Sequence, residues 1–84
     1  MKIQECKVID NATLLVVSED GKQGFFDVSH YFELEAFSSL KNPEEFKRIS
    51  IGGYFIEWSS GADLSADTIE AKWFDVTNTK KKVI

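Results

Sequence analysis

Two glycine-containing turns, Asp20-Gly21 and Gly52-Gly53, constrain the fold of this chain more than any other feature. Each stands between runs of β-branched and aromatic residues, and a two-residue hairpin turn needs the positive φ that glycine adopts readily. Alternation around the second turn collects one apolar face, consisting of Ile49, Ile51, Tyr54, Ile56 and Trp58. The sequence therefore predicts two antiparallel hairpins, the second with a fully apolar face.

The first hairpin is predicted to be apolar on both faces. A type I′ turn at Asp20-Gly21 would place Leu15 opposite Phe26. In that register the two faces carry Leu15, Val17, Phe26 and Val28 on one side, and Leu14, Val16 and Phe25 on the other. Because a core layer needs only one face of a small sheet, we expect the face with Leu15, Val17 and Phe26 to bind a second copy or a protein partner. Alternatively, segment 32–40 or the final helix covers that face and completes the core.

Two helix starts are recognisable. Asn42 can cap a helix in which Pro43 occupies the first position, and the two glutamates that follow complement the helix dipole. Ser65 is the predicted cap of a second helix over residues 66–73. With the hairpins, these segments predict an α+β fold in which small antiparallel β-hairpins, or a meander, pack with two or three short helices.

Length and charge limit the possible functions. The 84 residues suffice for one small α+β domain, predicted over residues 1–77, with a flexible C-terminal tail over residues 78–84. The net charge of −4 opposes binding to a phosphate backbone, so no direct nucleic-acid binding is expected in spite of the three lysines at 80–82. Two features predict a cytoplasmic protein that does not enter a membrane. The chain has no long apolar run, and it contains a single cysteine, Cys6.

The chain offers few side chains from which an active site could be built. Its one histidine, His30, is interpreted as an exposed residue, and Cys6 as a small buried one. Asp63, Asp67 and Glu70 could gather as metal ligands or as an acid–base set, but they also fit the exposed start of a helix. Because no catalytic motif is recognisable, no enzymatic activity, metal or cofactor is predicted.

Trp58 admits two roles. An aromatic residue beside a glycine turn can line a groove or anchor an interface, and Asp63 lies in the same stretch. The strict alternation of its strand favours instead a core position between the hairpin and the final helix. The candidate interaction surface at this point comprises Leu15, Val17, Phe26, Trp58 and Asp63.

Four short motifs follow one another in a distinctive order: Gly21-Lys22-Gln23-Gly24-Phe25-Phe26-Asp27-Val28-Ser29, Phe46-Lys47-Arg48-Ile49, Glu57-Trp58 and Gly61-Ala62-Asp63-Leu64. In this order they resemble the domain of unknown function 2442 family of bacteria, over residues 3–73. The resemblance implies a small α+β fold of hairpins and short helices, without an activity or a catalytic residue. Some members are fused to a helix-turn-helix domain, and others lie beside a gene for a second small protein, as in a toxin–antitoxin pair.

The chain departs from the family pattern at several positions. The family tends to carry proline at His30 and a proline-containing turn at Ser59-Ser60, so these turns are expected to differ. It also favours polar residues where Leu15 and Val17 stand, so the resemblance makes Leu14 and Val16 the expected core residues. Leu15, Val17 and Phe26 would then form an apolar surface specific to this protein.

Two classes of function follow. The first is a protein-interaction or regulatory module whose partner is another small protein or a second copy of the chain; the resemblance adds a role as the acidic partner in a toxin–antitoxin-like pair. The alternative is a small enzyme or ligand-binding protein that uses the acidic residues near the last helix. A deep cavity with convergent carboxylates would favour this alternative, whereas a flat apolar patch would favour the module.

Overall fold

The chain folds into two antiparallel sheets, and the structure, a computed structural model, describes residues 1–76. The first sheet begins with strands β1 (Ile3–Val8), β2 (Thr13–Ser18) and β3 (Gln23–Asp27), and the second consists of β4 (Ile49–Ile51), β5 (Phe55–Trp58) and β6 (Asp63–Ser65). A last short strand, β7 (Phe74–Asp75), returns to the first sheet beside β3. This arrangement confirms the predicted α+β fold. The predicted tail, residues 78–84, lies outside the described residues.

Short helical segments separate the sheets and follow the second one. They are the 3₁₀ segments Ser29–Tyr31 and Glu35–Lys41 and the helices α1 (Pro43–Phe46) and α2 (Ala66–Lys72). Both predicted caps are confirmed, because Asn42 Oδ1 accepts the Glu44 N–H at 2.9 Å and Ser65 Oγ accepts the Thr68 N–H at 3.1 Å. No helix in residues 1–76 is long and apolar enough to cross a bilayer.

The first hairpin has a three-residue loop instead of the predicted two-residue turn. The Ser18 N–H donates to the Lys22 carbonyl at 2.8 Å, and Gly21 takes the required positive φ of 93°. The Asp20 carboxylate accepts hydrogen bonds from the Ser18 hydroxyl and the Lys22 N–H, which holds the additional residue in the loop. This loop is the three-residue hairpin type with glycine in the left-handed region.

The longer loop moves β3 by one residue relative to β2. Leu15 pairs with Phe25, and Leu14 pairs with Phe26. A one-residue change reverses the facing of every side chain on a strand, so Phe26 lies on the buried face with Leu14 and Val16. The prediction that grouped Phe26 with Leu15 and Val17 was therefore wrong, whereas the expectation that Leu14 and Val16 belong to the core is confirmed.

The second hairpin turns one residue later than predicted. The Gly52 N–H donates to the Phe55 carbonyl at 2.9 Å, so Gly53 and Tyr54 form the turn, and Gly53 has a φ of 91°. The strand pairs move by two residues, to Ile51 with Ile56 and Ile49 with Trp58. A shift of two preserves the facing, so Ile56 and Trp58 are buried as predicted, but Tyr54 is exposed at the turn.

Ring contacts form the centre of the core and connect the first sheet to the second. Each ring contacts the next in a series that starts at Phe26 on β3, continues through Tyr31 and Phe37, and ends at Trp58 on β5, with centroid distances of 6.0, 5.3 and 6.2 Å. Aliphatic residues complete the core on both sides of these rings: Ile3, Leu14, Val16, Val28, Leu40, Ile56, Leu64 and Ile69. One hydrophobic core therefore serves both sheets.

Trp73 packs against the first sheet where β3 carries a glycine. A Cβ atom at Gly24 would lie 2.6 Å from Trp73 Cδ2 and 2.8 Å from the Phe74 carbonyl oxygen. Such distances are too short for contacting carbon and oxygen atoms, so the absence of a side chain at Gly24 lets the segment after α2 approach the sheet. This contact positions β7 beside β3.

Replacing Ile56 with alanine should lower the free energy of unfolding by about 2–4 kcal/mol, because the side chain is fully buried and its removal leaves a cavity. Urea denaturation measures the change. Ile51→Ala is the matched control, since Ile51 pairs with Ile56 on the same face but is 39% exposed, and it should cost clearly less. Equal losses for the two variants would contradict the burial pattern of this hairpin.

Gly24→Ala should destabilise the protein by about 1–3 kcal/mol, the usual range for overpacking a filled site. The added methyl group forces both Trp73 and the backbone at Phe74 to move. Denaturation of Gly24→Ala in the wild-type and Trp73→Ala backgrounds tests the cause, because the cost should fall when the indole is absent. An unchanged cost in the second background would show that the indole does not constrain Gly24.

Candidate interaction surface

The outward face of the first sheet carries apolar side chains on three neighbouring strands. Leu15 on β2 lies opposite Phe25 on β3, which lies opposite Phe74 on β7, and Val17 is two residues from Leu15 on the same face. We call Leu15, Val17, Phe25 and Phe74 the outer apolar row. Phe74 is 71% exposed and Phe25 is 38% exposed, while Leu15 and Val17 are half-buried.

The segments expected as covers for this face pack on the opposite side of the sheet. Phe37 and Leu40, from segment 32–40, are buried in the core that also contains Phe26. Ile69 of α2 belongs to the same core. The alternative in which one of these segments covers the face with Leu15 and Val17 was therefore wrong, because the one-residue register change directs Phe26 toward these segments.

Charged residues border the outer apolar row on the neighbouring strand. Glu5 and Lys7 on β1 pair with Val17 and Leu15, so their side chains share the outward face. The Lys7 Nζ lies 3.4 Å from Glu5 Oε2, and both side chains are largely exposed. The border thus presents one negative and one positive group side by side.

Trp58 is a core residue. It is 1% exposed, its Nε1–H donates to the Phe46 carbonyl at 3.0 Å, and its ring stacks on Phe46 at 5.9 Å. Its assignment to the interaction surface was wrong, because the strand alternation turns it inward. Phe26 is excluded from the surface by its burial, at 2% exposure.

The three candidate acids do not converge. Asp63 opens β6 opposite Glu57 instead of standing at a helix start, and Asp67 lies in the first turn of α2. The Glu70 carboxylate accepts from the Met1 ammonium and from Lys22 Nζ, both at 3.3 Å. The hydrogen bond from the Met1 ammonium, followed by that from Lys22, lowers the pKa of Glu70. Within residues 1–76, no three His, Cys, Asp or Glu side chains gather as metal ligands.

Cys6 and His30 occupy separate parts of the molecule. Cys6 is half-buried opposite Val16 on the core side of β1, and burial raises the pKa of its thiol to about 12, so the thiol is protonated at neutral pH. His30 is exposed, as interpreted from the sequence, and its Nε2 lies 3.5 Å from Asp27 Oδ2.

The outer apolar row combines residues that sequence analysis found with residues that it missed. Leu15 and Val17 were predicted from the two-faced hairpin. Phe25 was assigned to the other face because the loop was read as two residues long. Phe74 was missed because β7 has only two residues, too few to show alternation.

Comparison with known proteins gives one match. The family model described as "Protein of unknown function (DUF2442)" matches residues 3–75, from the first residue of β1 to the last residue of β7. No curated protein and no solved structure matches the chain. Because the family match includes every strand that the structure describes, the chain belongs to the DUF2442 family of proteins of unknown function.

Proposed function

We propose that this chain is a protein-interaction module that pairs with a second copy of itself through the outer apolar row. The observation that carries the proposal is the exposure of Phe25 and Phe74 beside Leu15 and Val17 on an open sheet face. Scattered apolar side chains are normal on a protein surface, but a contiguous set on neighbouring strands favours association. Two sheets that pack face to face would bury both sets in one layer.

The area of this face supports a weak dimer. Covering the row would remove roughly 200 Å² of apolar surface from each copy, worth about 5 kcal/mol per copy at the usual coefficient of ~25 cal/mol per Å². Association itself costs about 4–15 kcal/mol in lost translational and rotational freedom. The gain and the cost are therefore similar, and the dimer is expected to dissociate upon dilution.

The charged border supports a second copy as the occupant. A two-fold axis brings the same surface of both copies together, so the charged border of one copy lies against the charged border of the other. Because Glu5 and Lys7 lie side by side, a symmetric arrangement can place the acid of one copy near the base of the other. Such pairs at an exposed border contribute more to orientation than to affinity.

Other proposals from the sequence have less support. The net charge of −4 and the gene arrangement implied by the family resemblance favour a basic small protein as an alternative occupant of the same face. An enzyme that uses the acids near α2 is disfavoured, since Glu70 is paired with two cations and Asp63 lies on β6. A place in the bacterial cytoplasm also stays a proposal, based on the family resemblance and the single cysteine.

The proposal predicts a concentration-dependent dimer that Val17→Glu converts into a folded monomer, because a carboxylate added to the row beside Glu5 cannot be buried against the second copy. Sedimentation equilibrium gives the mass, and far-ultraviolet circular dichroism reports folding. Phe74→Ser is a second variant for the case in which Val17→Glu unfolds, since Phe74 is mostly exposed. Tyr54→Glu is the matched control, because Tyr54 is 64% exposed in the turn of the second hairpin and its replacement should leave the dimer intact.

Three results would count against the proposal, and the first two would overturn it. The first is a wild-type protein that stays monomeric up to millimolar concentration. The second is a dimer that both Val17→Glu and Phe74→Ser leave unchanged, since the two copies would then meet elsewhere. A dimer lost equally in Tyr54→Glu would also count against this face.

A further inference from the structure

A cleft of about 350 Å³ opens at one end of the first sheet, on the side of α2. It is lined by the end of β3, the 3₁₀ turn that follows it, the next loop and the last residue of α2, through Phe26, Asp27, His30, Tyr31, Leu34 and Lys72. This volume lies at the lower end of the range for small-molecule sites. The cleft shares no residue with the outer apolar row, so its role is independent of self-association.

The acidic group of the cleft is occupied by its own turn. Asp27 Oδ1 accepts the Ser29 N–H at 2.9 Å, and Asp27 Oδ2 lies 3.5 Å from His30 Nε2. Hydrogen bonds from the Ser29 hydroxyl and N–H lower the pKa of Asp27, so it is ionised at neutral pH. Asp27 therefore holds the turn through Ser29 and contacts the His30 ring, so both of its oxygens already have a partner within the chain.

The basic group of the cleft has no counterion among residues 1–76. Five other cationic side chains lie within 4 Å of a glutamate, namely Lys2, Lys7, Lys22, Lys47 and Arg48, whereas Lys72 in the cleft and Lys41 outside it form no such pair in the described part of the chain. Its position in the last turn of α2 complements the helix dipole. The interaction of Lys72 with the helix dipole does not explain why apolar side chains line the cleft beside it.

Those walls consist of two aromatic rings and an aliphatic side chain. Phe26 and Tyr31 lie 6.0 Å apart between centroids, and Leu34 is 53% exposed at the rim. A large aliphatic side chain beside a tyrosine ring offers an apolar surface to a flat, uncharged group. The cleft thus has an apolar part and an unpaired cation, the two features that an amphiphilic anion requires.

We infer that this cleft binds a small organic carboxylate with an aromatic body. The carboxylate accepts hydrogen bonds from the Lys72 ammonium, and the ring packs between Tyr31 and Leu34. The cleft offers one cation, Lys72, and the Asp27 carboxylate borders the same cleft, so a ligand with a single negative charge matches the one ammonium group. The ligand class is therefore a monocarboxylate.

The test is a titration of the ¹⁵N-labelled full-length protein with sodium phenylacetate, followed by amide chemical shifts. We expect saturable shifts at Asp27, His30, Tyr31, Leu34 and Lys72, and none with the neutral analogue phenylacetamide at the same concentration. Inorganic phosphate should give no shifts at these amides.

Three variants locate the contacts. Lys72→Gln should weaken phenylacetate binding about tenfold, as expected for loss of a charge-assisted hydrogen bond. Lys41→Gln, at an exposed lysine outside the cleft, should leave the affinity unchanged. Leu34→Ala, at an exposed position that the fold tolerates, should also weaken binding. Absence of saturable shifts at millimolar phenylacetate, equal shifts with phenylacetamide, or equal affinities of Lys72→Gln and Lys41→Gln would each overturn the inference.

Discussion

A buried hydrogen bond, from the Trp58 indole N–H to the Phe46 carbonyl, joins the second sheet to α1 inside the core that both sheets share. It satisfies the polar atom of the largest buried side chain, and it does so at the end of α1, between the two sheets. Phe37 meets the same indole edge-on at 6.2 Å, which extends the contact to Tyr31 and then to Phe26 on β3. If the indole were displaced, the Phe46 carbonyl would lose its partner in an apolar site, and the rings on both sides would lose their common neighbour.

The same ring contacts also explain why the first sheet has one buried and one open face. The rings of Tyr31 and Phe37 occupy the side of the sheet that Phe26 and Leu14 present, so the covering segments are engaged there. Phe37 and Leu40 of segment 32–40 and Ile69 of α2 all belong to this core, so these two segments do not form a third layer on the opposite face. Leu15, Val17, Phe25 and Phe74 consequently lie on the side that the core does not use.

The sequence predicted features with a local chemical cause. Asn42 and Ser65 were recognised as caps because a short polar side chain can accept a hydrogen bond from an N–H two or three residues ahead. The register of the first hairpin was missed because Asp-Gly favours a two-residue turn, whereas the Asp20 carboxylate accepts hydrogen bonds from Ser18 and Lys22 that stabilise a three-residue loop. The cleft could not be predicted, since Asp27 and Lys72 come together only through tertiary packing.

Strand β7 has a consequence for the loops that the chain closes as it folds. In residues 1–76, every other strand pair joins neighbours in sequence: β1 with β2, β2 with β3, β4 with β5, and β5 with β6. The β3–β7 pair alone joins residues about fifty positions apart, and closing so long a loop costs about 2 kcal/mol more in entropy than closing a hairpin of three residues. The pairs within each meander therefore close short loops, whereas the β3–β7 pair and the contact of Trp73 with Gly24 close a long one.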